Sequence, residues 1–371
     1  MKITCNTAIL NKAIQTAQRV ISSKPSSPIF SGLRILTNTE NIEIHAMDLN
    51  VAISCTVEAQ VSEVGEIVVS AKHFAELIRK LPGEDTTITN QSGSNTIKIE
   101  SGSADFNLFS MNPNDFPPFP IFNGDKAITI DDETIKELIK KTIFACSTDE
   151  SRPVFTGILV EAENDTVTFV GTNTHRLAIK SKKLSAPVEK PLSMIIPAKV
   201  FGEIFRNLTG EAPQEVVISL LKNQLMVSIN NIIIVSRLIN GNFPNYKKVI
   251  PPKFATTTTV AMKDLAGAVE RVAIFSTEGD YSTIKMSVSE ENITITSSSP
   301  EVGTGKEVIP CSTSGSDINV AFNAKYILDI LKNLEGDKAI ISMNSPLNPV
   351  CITSAQEEDY TYIVTPVRVV F

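Results

Sequence analysis

The residues of this chain best suited to chemistry lie in one short stretch, Gly171-Thr172-Asn173-Thr174-His175-Arg176-Leu177, where hydroxyls, an amide, an imidazole and a guanidinium precede an apolar run. A histidine can act as a general base near neutral pH, so a hydrolase built on His175 is the catalytic reading this stretch allows. It would need a nucleophile or a metal beside it. His45 and His73 stand in unrelated contexts, and the chain contains no HExxH, no phosphate-binding Walker loop and no dinucleotide glycine fingerprint. Cys5, Cys55, Cys146, Cys311 and Cys351 occur singly, without CxxC or Cys/His spacing, and read as buried thiols. No catalytic residue, metal or cofactor is therefore expected, and the stretch reads as a binding turn. The matching segment 125 positions earlier, Ala46-Met47-Asp48-Leu49-Asn50-Val51, lacks His and Arg, so the polar cluster was placed once only.

The second chemical signal is positional charge. The chain has a formal net charge of −7, which argues against an openly basic protein. Yet its six helical segments, 10–22, 72–81, 134–145, 198–208, 263–275 and 324–334, together carry a net +8. An acidic chain that keeps its helices basic is sorting charge by element, and the use for such helices is to face a polyanion. Helix propensity favours Lys and Arg, but it favours Glu equally.

These helices also reveal the organisation. Ala198-Lys199 is followed by Phe201, Ile204, Phe205, Leu208 and Gly210; Ala71-Lys72 and Ala324-Lys325 open the same pattern, with a Leu nine and a Gly eleven residues after each Lys. The apolar spacing is that of one helix face, and the Gly reads as a C-cap. The three Lys are 127 and 126 positions apart, too far for a solenoid repeat, so the chain is one domain written three times. Arg152-Pro153-Val154-Phe155-Thr156-Gly157 repeats Ser27-Pro28-Ile29-Phe30-Ser31-Gly32. Each repeat is itself doubled, strand, helix and three strands written twice, which gives an α+β fold of doubled βαβββ units. Proline-rich joints suggest domains at 1–124, 125–252 and 253–371. With 42% hydrophobic residues the chain can build several cores, and the run Ile232–Val235 is far short of the roughly 20 residues a membrane helix needs. The N-terminus lacks an apolar signal core, so a cytoplasmic protein without membrane contact is expected.

Taken together, these features resemble the bacterial DNA polymerase sliding clamps, the β subunits of the replicative polymerase. The likeness covers the whole chain and rests on the triple repeat, Lys24-Pro25 with Pro28-Ile29, His175-Arg176-Leu177-Ala178, Phe243-Pro244-Asn245-Tyr246 with Val249-Ile250-Pro251, and Tyr362-Ile363-Val364-Thr365-Pro366-Val367-Arg368. It implies a non-catalytic processivity factor: a head-to-tail homodimeric ring with helices lining the hole, encircling double-stranded DNA without sequence preference. A protein-interaction scaffold that does not encircle DNA is the alternative.

The resemblance implies three sets of site residues. A peptide-binding pocket between domains 2 and 3 would have apolar walls from Phe155, Leu177, Pro244, Val249, Val364, Pro366 and Val367, and polar edges from Thr172, His175, Arg176 and Arg368. The replicative polymerase, the clamp-loader ATPase, repair polymerases and mismatch-repair proteins would dock there through short linear motifs. DNA would meet Lys24 and Arg152, within a diffuse field from Lys12, Arg19, Lys72, Arg79, Lys136, Lys140, Lys141, Lys199 and Arg206. The dimer interface would join Phe106 to Ile274 and Phe275. Three departures stand out. Asn173 and Thr174 replace the family's Asp-Gly, so the turn must do without the φ > 0 freedom of glycine. Thr365 and Val367 replace two tail methionines, and the chain runs on through Val370 to Phe371. The acidic cluster near the third domain's edge is thinned to Glu301 and Glu307, with Lys306 between.

Overall fold

The computed structural model describes residues 1–22, 24–90, 95–121, 125–208, 210, 213–276 and 282–369. Repeat one contributes β1 (Lys2–Asn6), α1 (Thr7–Gln18), β2 (Gly32–Thr37), β3 (Asn41–Met47), β4 (Val51–Glu58), β5 (Gln60–Glu63), β6 (Glu66–Ser70), α2 (Ala71–Arg79), β7 (Asp85–Asn90), β8 (Thr96–Ser101) and β9 (Ala104–Met111). Repeat two follows with β10 (Asp125–Asp131), α3 (Asp132–Thr142), β11 (Gly157–Glu163), β12 (Thr166–Thr172), β13 (Arg176–Lys183), β14 (Leu192–Pro197), α4 (Ala198–Asn207), β15 (Glu215–Leu221), β16 (Gln224–Ile229) and β17 (Ile232–Arg237). Repeat three supplies β18 (Thr256–Ala261), α5 (Met262–Ala273), β19 (Thr283–Val288), β20 (Asn292–Ser299), β21 (Gly303–Ser314), β22 (Ile318–Asn323), α6 (Ala324–Leu331), β23 (Lys338–Met343), β24 (Val350–Ser354) and β25 (Glu357–Val364). The doubled βαβββ pattern appears in all three, with β5 the single addition.

The helices form where sequence and caps agree. Asn6 opens α1 by accepting hydrogen bonds from the Ala8 and Ile9 amides at 3.0 and 3.1 Å, and Asn323 accepts from the Lys325 amide at 2.9 Å. α2 buries Ala71, Phe74, Ala75 and Ile78, the three-and-four spacing of one face. The glycine expected to cap this group of helices does not do so. α2 ends at Arg79 with Lys80 at its C-cap, short of Gly83, and α6 ends at Leu331, short of Gly336. Gly336 does take a positive φ of 95°, but in the turn that follows, against the Gln356 side chain.

By its internal contacts the chain divides into two compact units, Met1–Asp132 with Glu203–Leu238, and Glu133–Gly202 with Ile239–Phe371. Each contains one long antiparallel sheet. The 13-stranded sheet runs β10-β15-β16-β17-β4-β3-β2-β6-β9-β8-β7-β1-β5, and the 12-stranded sheet β14-β11-β12-β13-β25-β24-β23-β18-β21-β20-β19-β22. The strands of repeat two are thus shared out, half continuing the sheet of repeat one and half that of repeat three. The joins are strand pairs: Ile232 to Ser236 of β17 lie against Cys55 to Val51 of β4, and Arg176 to Lys180 of β13 against Val364 to Tyr360 of β25. Strand burial alternates as expected for a sheet with one covered face; Lys338–Met343 reads exposed, buried, intermediate, buried, intermediate, buried. In the second unit Leu265, Val269 and Val272 of α5 and Ile327 and Ile330 of α6 pack on Ile284, Ile341, Tyr360 and Tyr362. All five cysteines are free thiols; burial pushes Cys5, Cys55 and Cys146 up to about 12, so they stay protonated packing groups.

Candidate ligand pocket and basic helix surfaces

The Thr172–Leu177 turn is built by its own polar side chains. Thr172 Oγ1 donates to the Arg176 carbonyl at 2.6 Å and accepts from the Thr174 amide at 3.1 Å. Asn173 Oδ1 accepts from the His175 and Arg176 amides, both at 3.1 Å, while its Nδ2 donates to the Tyr326 hydroxyl at 3.2 Å. The turn is held so firmly that Thr174 adopts φ 77°. The turn does without glycine's freedom yet keeps the left-handed conformation, and a β-branched residue bears the strain. Gly171 at the turn's entry is needed for closeness, since a Cβ there would lie 2.3 Å from the Thr142 carbonyl oxygen.

Beside the turn is an apolar pocket of about 210 Å³. Leu177 and Ile363, paired across β13 and β25, form its floor; both are buried. Phe155, Phe243, Pro244 and Val249 stand around it, the two phenyl rings edge-on with centroids 6.2 Å apart. Tyr246 contributes from below, its hydroxyl donating to Glu161 Oε2 at 2.7 Å. Thr172, Thr174, Arg176 and Thr365 complete the lining. The opening is lined chiefly by carbon, so it suits bulky apolar side chains held by desolvation.

Six of the residues expected at this pocket line it: Phe155, Thr172, Arg176, Leu177, Pro244 and Val249. Five do not. His175 is exposed and engages through its carbonyl, which accepts from the Thr365 amide at 2.9 Å. Val364 is fully buried and pairs with Arg176 on the opposite side of the strand, and Pro366 is buried too. Val367 is half-buried, its amide donating to the Ala321 carbonyl, and Arg368 is exposed. Val370 and Phe371 lie outside the described residues. The expected polar edge needs correction as well, because both terminal nitrogens of the Arg176 guanidinium are engaged within the chain, while its buried Nε has no hydrogen-bond partner among the described residues. The guanidinium donates to Asp329 Oδ2 at 2.6 Å and to the Phe144 carbonyl, and stacks over Tyr326 with 4.5 Å to the ring centre. Thr174, Phe243, Tyr246, Ile363 and Thr365 were missed. Strand alternation would have found Ile363, since a residue paired with Leu177 must share its face, whereas Val364 cannot.

Of the expected DNA contacts, Lys12, Arg19, Lys24, Lys72, Arg79, Lys140, Arg152, Lys199 and Arg206 are exposed and Lys136 is half-buried. Lys141 is not available to any polyanion. It is 2% exposed, donates to Glu357 Oε1 at 2.6 Å and lies 3.3 Å from Glu335. Lys180, equally buried, reaches Glu137 at 2.9 Å and Glu357 at 3.3 Å. Burial pulls the Lys180 ammonium down, but the Glu137 hydrogen bond and the neighbouring carboxylates outweigh it and hold its pKa above the usual lysine value. Glu137, Glu335 and Glu357 also form the kind of acidic group that can hold a metal, yet here lysines already occupy the space between them. At the expected interface, Ile274 is 67% exposed and Phe106 41% exposed, while Phe275 is half-buried against Gly303 and Gly305. Phe109, 81% exposed on the same strand as Phe106, went unnoticed in the sequence. Glu307 is not a free member of an acidic cluster, since Arg271 binds it at 2.6 and 2.8 Å.

Three family models match in tandem: the N-terminal domain of the DNA polymerase III β subunit over residues 1–120, its central domain over 129–245 and its C-terminal domain over 247–368. The chain belongs to the DNA polymerase III β subunit family. It is 31% identical to the β sliding clamp of Bacillus subtilis strain 168 over 99% of this chain and 100% of that one, and 28% identical to that of Staphylococcus epidermidis over 94% of each. Among solved structures, a DNA polymerase sliding clamp from Bacillus subtilis superposes with a TM-score of 0.94 at 29% identity, covering both chains fully. A sliding clamp from Pseudomonas aeruginosa bound to griselimycin superposes with 0.93 at 26% identity, again over the full length of both. Among the described residues no helix is long and apolar enough to cross a membrane.

Proposed function

We propose that this β subunit acts as a sliding clamp that performs no chemistry of its own: two copies, each of three domains at 1–124, 125–252 and 253–371, close a ring around duplex DNA in the cytoplasm. Polymerase, clamp loader and repair proteins are tethered through the pocket beside the Thr172–Leu177 turn. The observation that carries the tethering is the convergence of three distant segments, the turn, Phe243–Val249 and β25 with Thr365, on one small, mainly apolar pocket. A pocket so limited binds short peptides at roughly micromolar affinity, which allows partners to exchange. The exposed cations on α1, α2, α3 and α4 support DNA contact that is diffuse and salt-dependent, as sliding requires.

The test separates tether from ring. Removing residues 365–371 takes Thr365 from the pocket and its hydrogen bond from His175, and should abolish binding of a fluorescent peptide with a Gln and two bulky apolar anchors. The truncated protein should still be retained on circular but not linear DNA. Unchanged peptide affinity would move the pocket elsewhere, and equal retention on both DNAs would favour the scaffold reading.

A further inference from the structure

The hollow beside the Thr172–Leu177 turn does not end at the apolar pocket. Leu177 and Ile363, the pocket's floor, are paired across β13 and β25, and the next pair on the same face is Ile179 with Thr361. Two residues of strand advance about 7 Å. This second pair lines a wider groove of about 750 Å³, and Tyr246 stands in the walls of both hollows. The groove therefore begins where the pocket stops, and a peptide seated in the pocket can run on into it.

The two hollows differ in chemistry. Past Ile179 the sheet face turns polar: Thr168 and Ser181, paired across β12 and β13, share a hydrogen bond of 2.8 Å, and Glu161 of β11 pairs with Thr168 from the other side. Glu161 accepts from the Tyr246 hydroxyl at 2.7 Å, which fixes its carboxylate at the junction with the pocket. Glu163, the next residue on that face of β11, is exposed and has no ion-pair partner among the described residues. Among the described lining residues Lys247 is the single cation, and its ammonium lies 5.8 Å from the Tyr246 ring centre. The groove thus offers two carboxylates two positions apart, the spacing at which alternate side chains of an extended peptide recur. In repeat one the corresponding positions, 125 earlier, are Leu36 and Asn38. The acid pair, like the polar turn, is written only into the copy that builds the pocket.

We infer that this groove receives the segment flanking the apolar anchors of a docking peptide and selects flanks that carry Lys or Arg at alternate positions, opposite Glu161 and Glu163. The inference rests on the pocket being the peptide site. The pocket supplies the affinity common to all partners, and the groove ranks them by the charge beside their anchors. Ion pairs this exposed are each worth at most about fivefold in affinity, which suits ranking and leaves exchange between partners fast.

The experiment follows fluorescence anisotropy of peptides on the full-length protein. One peptide is a bare core with a Gln and two bulky apolar anchors; the others add a six-residue Gly/Ser tail at either end, with Lys, Gln or Glu at tail positions four and six. At one of the two ends the Lys tail should bind on the order of fivefold more tightly than the Gln tail, and the Glu tail more weakly than both. Glu163→Gln should cut that preference roughly twofold, and Glu163→Lys should erase it, with affinity for the bare core unchanged in both. Glu58→Gln removes an exposed carboxylate on β4 and should leave the preference intact; an equal loss there would make the effect one of net charge and overturn the inference. A core that binds while neither end shows a tail preference overturns the inference and leaves the pocket reading standing. A core that fails to bind, or binds equally after removal of residues 365–371, overturns the pocket reading and this inference with it.

Discussion

Arg176 Nη1 lies 2.6 Å from Asp329 Oδ2, which ties the turn at the pocket's edge to helix α6 of the following repeat. The guanidinium is 7% exposed and the carboxylate 24%, so removing the acid strands a nearly buried cation. Asp329→Ala is expected to cost about 3 kcal/mol. Urea unfolding followed by circular dichroism checks this. Peptide affinity should fall too, because Thr172 and Arg176 position each other through the hydroxyl-to-carbonyl bond of 2.6 Å.

Thr174 holds a positive φ that glycine would adopt freely. Thr174→Gly relieves the strain of a β-branched residue at 77° at the cost of a looser unfolded chain, for a net gain of about 1 kcal/mol. The expected sign is a midpoint shift to higher denaturant. A shift to lower denaturant would mean the turn's hydrogen bonds depend on the threonine side chain itself.

Lys141 should behave as a structural residue despite its place on a basic helix. Lys141→Ala leaves Glu357, among the described residues, with Lys180 and the Glu335 amide as partners, and is expected to destabilise by about 3 kcal/mol. Retention on circular DNA should be unaffected at temperatures where the variant is folded, whereas Lys140→Ala, exposed on the next position, should increase sensitivity to salt.

The same network sets a pH window. For Glu137, burial raises the pKa, but the hydrogen bonds from Lys182 and Lys180 outweigh it and leave the carboxyl below its usual 4.5. Its contribution is therefore complete above 4.5 and lost as pH falls through the lower folded value. Lys180 is shifted upward, so its contribution is complete below 10.5 and lost as pH rises through the higher folded value. The stability difference between the wild type and Glu137→Gln should be flat through neutral pH and shrink in acid. A difference that grows in acid would contradict the assignment.

Ile274 and the strand carrying Phe106 and Phe109 predict the assembly. Each large apolar side chain buried between copies is worth roughly 1.5–3 kcal/mol. Ile274→Ala with Phe275→Ala should give a folded monomer in sedimentation experiments, and Phe109→Ser, 81% exposed in the single chain, should weaken the dimer without unfolding it.

The triple repeat, the six helices and most strand positions could be read from periodicity because each repeat restates the same apolar face. What could not be read lies where one segment meets another far away in sequence. Lys141 looks like its solvent-facing neighbour Lys140 until β25 brings Glu357 to it, 216 positions on. Thr174 looks unable to replace glycine until the hydrogen bonds of Thr172 and Asn173 are seen to force the turn. Val364 and Ile363 are adjacent and equally apolar, and only the pairing with β13 shows which one faces the pocket.

Because the sheets run through the repeat boundaries, the copied unit differs from the unit that can stand alone. A fragment cut to the middle repeat would lose β4 from the side of β17 and β25 from the side of β13. It would expose Ile232-Ile233-Ile234-Val235 of β17 as a bare apolar edge of the kind that templates aggregation, whereas Arg176, Lys180, Lys182 and Lys183 charge the edge of β13. Solubility should return when such a fragment is co-expressed with its neighbours, which makes the first copy of the domain a guard for the second.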